Sequence, residues 1–267
     1  MDGPMSWITN SLLILCVAAG LAAQTPTPPT AADGLAHVAF RVSDVVAVRD
    51  YYYKLGFEQS FEYSDAKGIT VSYMKVNDRQ FIELYRRNRD EEPLGLMHLC
   101  FESTQLEALA AVYEGRGLTH TPPNKGRAGN VLFNLQDPER QLLEHNMYLP
   151  GSMHMLDSGK HLGATRISDH MVGATTRAKD MQLVRTFYTE KLGAKDLGGT
   201  TAVRMLFPGK YGEEVDLEPA TPDWKPGLLF GVPDVARAQA ELKKRGLAST
   251  DPDGVRIIFV VASPLGN

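Results

Sequence analysis

Cysteine is nearly absent: two in 267 residues. Cys16 lies in an apolar N-terminal segment without the small-residue context of a lipid-modified cysteine, so Cys100 alone remains, and one cysteine cannot close an intrachain disulfide. Cys100 therefore reads as a small apolar core residue. Basic excess is also missing. The net charge is -4 and no Lys/Arg cluster is interleaved with aromatics, which excludes nucleic acid as the expected partner. Long apolar runs are confined to residues 11–23, "SLLILCVAAGLAA", too short and too N-terminal for a comfortable membrane span. Followed by "QTPTPPT", with small residues at Ala22 and Ala23, the run suits the core of a secretory signal, although "MDGPMSWITN" before it has no Lys or Arg. The expectation is a signal peptide over residues 1–24 and a secreted or periplasmic protein with no stable membrane partner after cleavage. An uncleaved anchor is the alternative. What remains, 43% hydrophobic and 22% charged overall, has the balance of a folded globular chain.

A repeat organises that remainder. Four segments share one plan of apolar strand, Asp/Ser/Thr helix start, amphipathic helix and glycine stop: "LAHVAFRVSDVVAVRDYYYKLGFE", "LMHLCFESTQLEALAAVYEGRGLT", "SDHMVGATTRAKDMQLVRTFYTEKLGAK" and "GLLFGVPDVARAQAELKKRGLAS". His37 to Gly56, His98 to Gly117 and Gly227 to Gly246 each span 19 residues, and His170 to Gly193 spans 23. Asp44, Asp180 and Asp234 are placed to cap first helical turns, and Thr104 with Glu107 has capping-box spacing. Gly56, Gly117, Gly193 and Gly246 are placed to end the helices in the left-handed conformation. Strand candidates follow each helix, among them "TVSYMKV", "QFIELYR", "NVLFNLQ", "QLLEHNMY", "AVRMLFP" and "EVDLEP". The pattern predicts an α+β fold of four strand-helix-strands modules with curved sheets. In the fourth module "VRIIFVVASPLGN" aligns with "NVLFNLQDPERQ", so the final strand is expected to be lacking and the sheet edge exposed.

Polar residues recur in register on these strands. His37 precedes Glu83 by 46 residues, and His98 precedes Glu144 by 46. A single histidine in an apolar strand is usually a satisfied core residue. Two His/Glu pairs at one spacing are different: buried carboxylates are costly unless compensated, and a divalent metal compensates them.

The paired units resemble the βαβββ modules of the vicinal oxygen chelate superfamily, which includes glyoxalase I, methylmalonyl-CoA epimerase, fosfomycin- and bleomycin-resistance proteins and extradiol dioxygenases. The resemblance covers residues 35–267 and implies two glyoxalase-like domains of two modules each. The first occupies residues 34–150, the second, degenerate and incomplete, residues 165–267, with linkers at 25–33 and 151–164. It further implies a cup-shaped sheet in which His37, Glu83, His98 and Glu144 fill the four ligand places around one ion: nickel, zinc, cobalt, manganese or iron(II). The His-Glu-His-Glu order is similar to bacterial glyoxalase I, implying a metal-dependent lyase or isomerase. Such an enzyme acts on a small substrate with vicinal oxygens (an α-hydroxycarbonyl or dicarbonyl adduct), with Glu144, or alternatively Glu83, moving a proton through an enediolate. An iron(II) extradiol dioxygenase and a non-catalytic small-molecule binding protein are the rival readings.

In the second half His170 matches the histidine place, Asp216 or Glu218 the acidic one, and Gly227 stands where a histidine would be. Two ligands are too few, so this half reads as a scaffold, homodimerisation or substrate-covering domain. Modules 1 and 2 are expected to pair because consecutive units neighbour each other; pairing of modules 2 and 3 is the alternative. His145 should face away from Glu144, His120, His154 and His161 read as solvated loop residues, and of Tyr51, Tyr52 and Tyr53 one or two should face the core. Arg86 and Arg87 read as a solvated strand end, with contact to an anionic substrate as the alternative.

Overall fold

A computed structural model describes residues 29–261, together with Met1 and Thr27. The expected signal peptide beyond Met1, residues 25, 26 and 28 of the first linker and residues 262–267 lie outside the described residues. Among the described residues no helix is long and apolar enough to cross a membrane.

Two sheets carry the chain. In the first module β1 (Gly34–Val42), α1 (Val45–Lys54), β2 (Glu58–Asp65), β3 (Gly68–Lys75) and β4 (Phe81–Arg86) follow one another, and in the second β5 (Gly95–Glu102), α2 (Leu106–Gly115), the short β6 (Asn124–Lys125), β7 (Val131–Gln136) and β8 (Leu142–Met147). Their strands form one eight-stranded sheet of order β2-β3-β4-β1-β5-β8-β7-β6. After a one-turn helix, α3 (Met153–Leu156), come β9 (Met171–Ala178), α4 (Met181–Thr186) with a π turn over Phe187–Lys191, β10 (Lys195–Asp196), β11 (Val203–Leu206), β12 (Glu214–Pro219), β13 (Gly227–Val232), α5 (Val235–Lys244) and β14 (Arg256–Val261). Their order is β10-β11-β12-β9-β13-β14.

Each sheet is mixed for one repeated reason. Within a module the closing strand returns parallel to the opening one (β4 to β1, β8 to β5, β12 to β9), while the two opening strands of a sheet, β1 with β5 and β9 with β13, run antiparallel. Modules 1 and 2 thus pair, and pairing of modules 2 and 3 does not occur. The fourth module is incomplete as expected, but the shortfall is not where the alignment put it. β14 pairs in parallel with β13, Leu229 opposite Ile258, which is the closing strand's place; the strands wanting among the described residues are the outer ones. Parallel pairing beside β13 buries Ile257 and Phe259, which an outer position would not. β14 is the sheet edge.

The local starts and stops follow the sequence with one exception. Asp44 accepts from the Val46 and Ala47 amides, Asp180 from Leu183 and Asp234 from Arg237, satisfying first-turn donors. Gly56, Gly117, Gly193 and Gly246 all have positive φ. The Thr104/Glu107 capping box does not form: the Thr104 amide and hydroxyl both donate to Asp33 and α2 starts at Leu106. A carboxylate just ahead of β1 outcompetes the local cap because it takes both donors at once.

One apolar core runs through both halves, with Phe57 against Phe230 at 5.3 Å and Phe101 against Phe207 at 4.3 Å between ring centroids. Tyr51 and Tyr52 join it and Tyr53 is exposed. Polar ties reinforce this junction: buried Glu213 accepts from the Leu35 amide, Gln80 and Arg79, and Tyr52 donates to Asp251.

Candidate metal centre

Strand alternation decides which side chains meet. Val38, Phe40, Ile82, Leu84, Leu99, Phe101 and Leu143 turn to the core, so His37, Glu83, His98 and Glu144 all project from the opposite, concave face. Register brings His98, Glu83 and Glu144 each to His37. His37 lies opposite Cys100 and Ala39 opposite His98 across the β1/β5 seam, while Glu83 pairs with Ala39 and Glu144 with Cys100. The four expected ligands therefore sit on the four central strands.

The distances are those of a ligand cluster. His37 Nε2 is 3.1 Å from His98 Nε2, 3.4 Å from Glu83 Oε1 and 3.5 Å from Glu144 Oε1. Donor atoms of His37, Glu83 and His98 all lie within 4.8 Å of one another, as do those of His37, Cys100 and Glu144. His37 is shared by both groups. His37, Glu83 and His98 are buried, whereas the Glu144 side chain keeps 13% of its surface open to the cleft.

Charge makes the arrangement costly as it stands. Burial, then the neighbouring His98 and His154, holds His37 well below the usual histidine range, and burial takes His98 down to about 4, so both imidazoles are neutral. Burial, then the Glu144 carboxylate, raises Glu83 well above the carboxylate range, and burial raises Glu144 to about 7. Among the described residues neither glutamate forms an ion pair with Lys or Arg; their cationic partner is wanting. Two neutral imidazoles and two carboxylates fit a divalent ion of the first transition row, which would supply that charge. No such ion is needed to position Glu83: Tyr85 donates to its Oε2 at 2.8 Å.

A small cleft opens over the cluster, lined by His37, Glu83, Glu144, Tyr73, Tyr85 and Arg127 among others. His154 also lines it and corrects the solvated-loop expectation. Its ring is 2% exposed, enclosed by Phe61, Tyr73, Phe81 and Tyr148, and neither nitrogen has a hydrogen-bond partner. Lys75, fully buried, fixes the α3 turn that carries it by bonding Asp157 and Asp78 at 2.9 and 2.8 Å. Nothing local in the sequence marks this histidine, because three of its four walls, Phe61, Tyr73 and Phe81, come from strands or strand ends 73 to 93 residues away in the chain. Cys100 was missed as a site residue for a simpler reason: its position two residues after His98 puts it on the same face, a signal that period-two counting contains.

The remaining candidates separate cleanly. His145 faces the core, stacked on Phe133 at 4.9 Å with Tyr113 Oη at 3.2 Å. His161 is exposed and bonds Asp157, whereas His120, expected in solvent, has its side chain only 5% exposed, against Phe133 at 4.7 Å and near Glu114, because the loop folds it onto β7. Arg86 pairs with Asp65 and Arg87 with Asp90, at strand ends.

Among the described residues the second sheet has no counterpart centre, and one assignment in it changes. Asp216 pairs with Thr175 as Glu83 does with Ala39, Leu229 with Ile258 as Cys100 does with Glu144, and the Gly227 amide reaches Thr175. The equivalents of His37, Glu83, His98 and Glu144 are thus Gly173, Asp216, Gly227 and Ile258. His170 is not at the histidine place; it precedes β9 and lies 3.7 Å from Glu213. His170 lies three residues ahead of the equivalent place, Gly173, an offset that its 23-residue spacing to Gly193, against 19 in the other modules, already carries. A side chain at Gly173 would strike the Glu214 carbonyl at 2.5 Å, so close strand approach has replaced a ligand. Glu218, two residues beyond Asp216, is taken by Trp224 and Arg256.

Comparison with known proteins agrees with this architecture. The family described as Glyoxalase/Bleomycin resistance protein/Dioxygenase superfamily matches residues 34–145. The Mn(II)-bound glyoxalase from Novosphingobium aromaticivorans is similar in fold at 16% identity and a TM-score of 0.62, over 88% of this chain and 89% of that one. The 2,3-dioxygenase LapB from Pseudomonas sp. KL28 gives 13% identity and 0.67 over 89% and 94%, and a catechol 2,3-dioxygenase 14% and 0.66 over 89% and 90%. At such identities the likeness is one of fold. No curated protein sequence matches the chain.

Proposed function

The chain belongs, through residues 34–145, to the Glyoxalase/Bleomycin resistance protein/Dioxygenase superfamily, and from that premise we propose that it is a divalent-metal-dependent lyase or isomerase. Its substrate is a small molecule with vicinal oxygens, and the reaction moves a proton between adjacent carbons. The observation that carries this reading is a second carboxylate, Glu144, beside a complete His37, His98 and Glu83 group. When bound, the ion would supply Lewis-acid stabilisation of the negative charge that develops on the substrate oxygens. His37, His98 and Glu83 would hold it. Glu144 is the proton carrier: it is the donor open to the cleft, and a carboxyl near 7 both accepts and returns a proton at neutral pH. Tyr85 keeps Glu83 oriented, and the aromatic wall of Tyr73 and Tyr85 keeps water from the reacting face.

The test uses the manganese- or nickel-loaded protein with small α-hydroxycarbonyl compounds in deuterated water, without oxygen. Deuterium should enter the carbon next to the carbonyl, and Glu144→Gln should lower that rate at least a hundredfold while still binding metal. A second reading has its own support: His37, His98 and Glu83 form the two-histidine, one-carboxylate set of iron(II) oxygenases. Oxygen uptake with catechols by the iron(II)-loaded protein, and no deuterium exchange, would replace the first reading by a ring-cleaving dioxygenase.

A further inference from the structure

The two donor groups that pivot on His37 differ in chemistry, and the second contains sulfur. Cys100 lies opposite His37 on one neighbouring strand and opposite Glu144 on the other, its Sγ 3.4 Å from Glu144 Oε1. The first module shows that packing does not demand a thiol there. By the pseudo-two-fold relation of β1 to β5, the equivalent of Cys100 is Ala39, which is buried and carries no donor. The sulfur also has an oriented neighbour: Asn146 Nδ2 donates to it at 3.2 Å from the next concave position of β8, while burial and then the Glu144 carboxylate hold the thiol well above its usual range, so its proton leaves only when an ion replaces it. Resting on the metal-enzyme reading above, we propose that Cys100 is a fifth donor of this centre. Its thiolate would join His37 in holding the ion and bias the site toward thiophilic ions, zinc and cadmium, over manganese. On binding, the Sγ–H bond breaks, the sulfur's electron pair goes to the ion and the proton leaves to solvent, so a divalent ion carries the thiolate without any redox change.

Such a site chooses between ions by ligand softness as well as by charge. The donors grouped with the sulfur are those of His37 and Glu144, so a thiophilic ion would be held through His37, Cys100 and Glu144.

Cobalt(II) reads the ligand directly. Added to the metal-free protein, it should give visible d–d bands together with an intense near-ultraviolet thiolate-to-cobalt charge-transfer band. Cys100→Ser should keep the first and lose the second, and its preference for zinc over manganese, measured by competition, should fall at least tenfold. Visible bands without the near-ultraviolet band in the unmodified protein would overturn the role of Cys100 and leave the metal enzyme standing. No cobalt uptake at all would overturn both. The unmodified protein's spectrum decides even where the serine variant does not fold.

Discussion

Asp251→Asn should make the protein more stable at pH 8 and leave it almost unchanged at pH 4. Asp251 sits in the turn before β14, with Oδ1 accepting from the amides of Asp253 and Val255 at 2.9 Å and Oδ2 facing Tyr52 Oη at 3.4 Å. Burial, chiefly, raises its carboxyl from 3.8 to about 6. The sign follows from proton counting. Between pH 3.8 and about 6 the folded chain keeps a proton that the unfolded chain has released, so stability falls as pH rises through that window. At about 1.4 kcal/mol per unit, the loss above the window is about 3 kcal/mol. Asparagine carries no charge to bury and keeps Oδ1 for both amides. Its cost is the long bond to Tyr52, about 1 kcal/mol. The net gain is about 2 kcal/mol, or about 4–8 °C in melting temperature. Thermal melts of both proteins from pH 4 to 8 should diverge between pH 4 and 6. Parallel curves, or an asparagine variant less stable at pH 8, would refute the burial argument.

Other perturbations address the centre. Millimolar manganese or nickel should raise the melting temperature, since an ion bound only by the folded state stabilises it by about 2.7 kcal/mol at a hundred times its dissociation constant; His37→Ala should abolish the shift. Tyr85→Phe removes the bond to Glu83 and should weaken manganese binding about tenfold by calorimetric titration without unfolding the chain. Lys75→Met leaves Asp157 without its buried cation and should cost about 3 kcal/mol in urea unfolding, with faster proteolysis at Met153–Leu156 as the α3 turn loosens. Asp216→Asn should leave metal stoichiometry at one ion per chain, because its sheet offers glycines where the histidines would be.

Local rules determined much of this protein from sequence alone. Asp44, Asp180 and Asp234 cap helices and four glycines end them because those preferences need only neighbouring atoms. The 46-residue repeat of His37/Glu83 and His98/Glu144 located the centre because a module that is used twice must put equivalent residues at equivalent places. Tertiary structure decided what depends on strand register and distant walls. His170 fell before β9 and left its ligand place to Gly173, the Thr104 cap lost to Asp33, and β14 took the closing position, where Ile257 and Phe259 are buried beside β13. His154 became a buried wall of the cleft, and Cys100, read as plain core, came to face Glu144. Spacing along the chain fixes which face a strand residue shares, while only the packed sheets fix what stands opposite it.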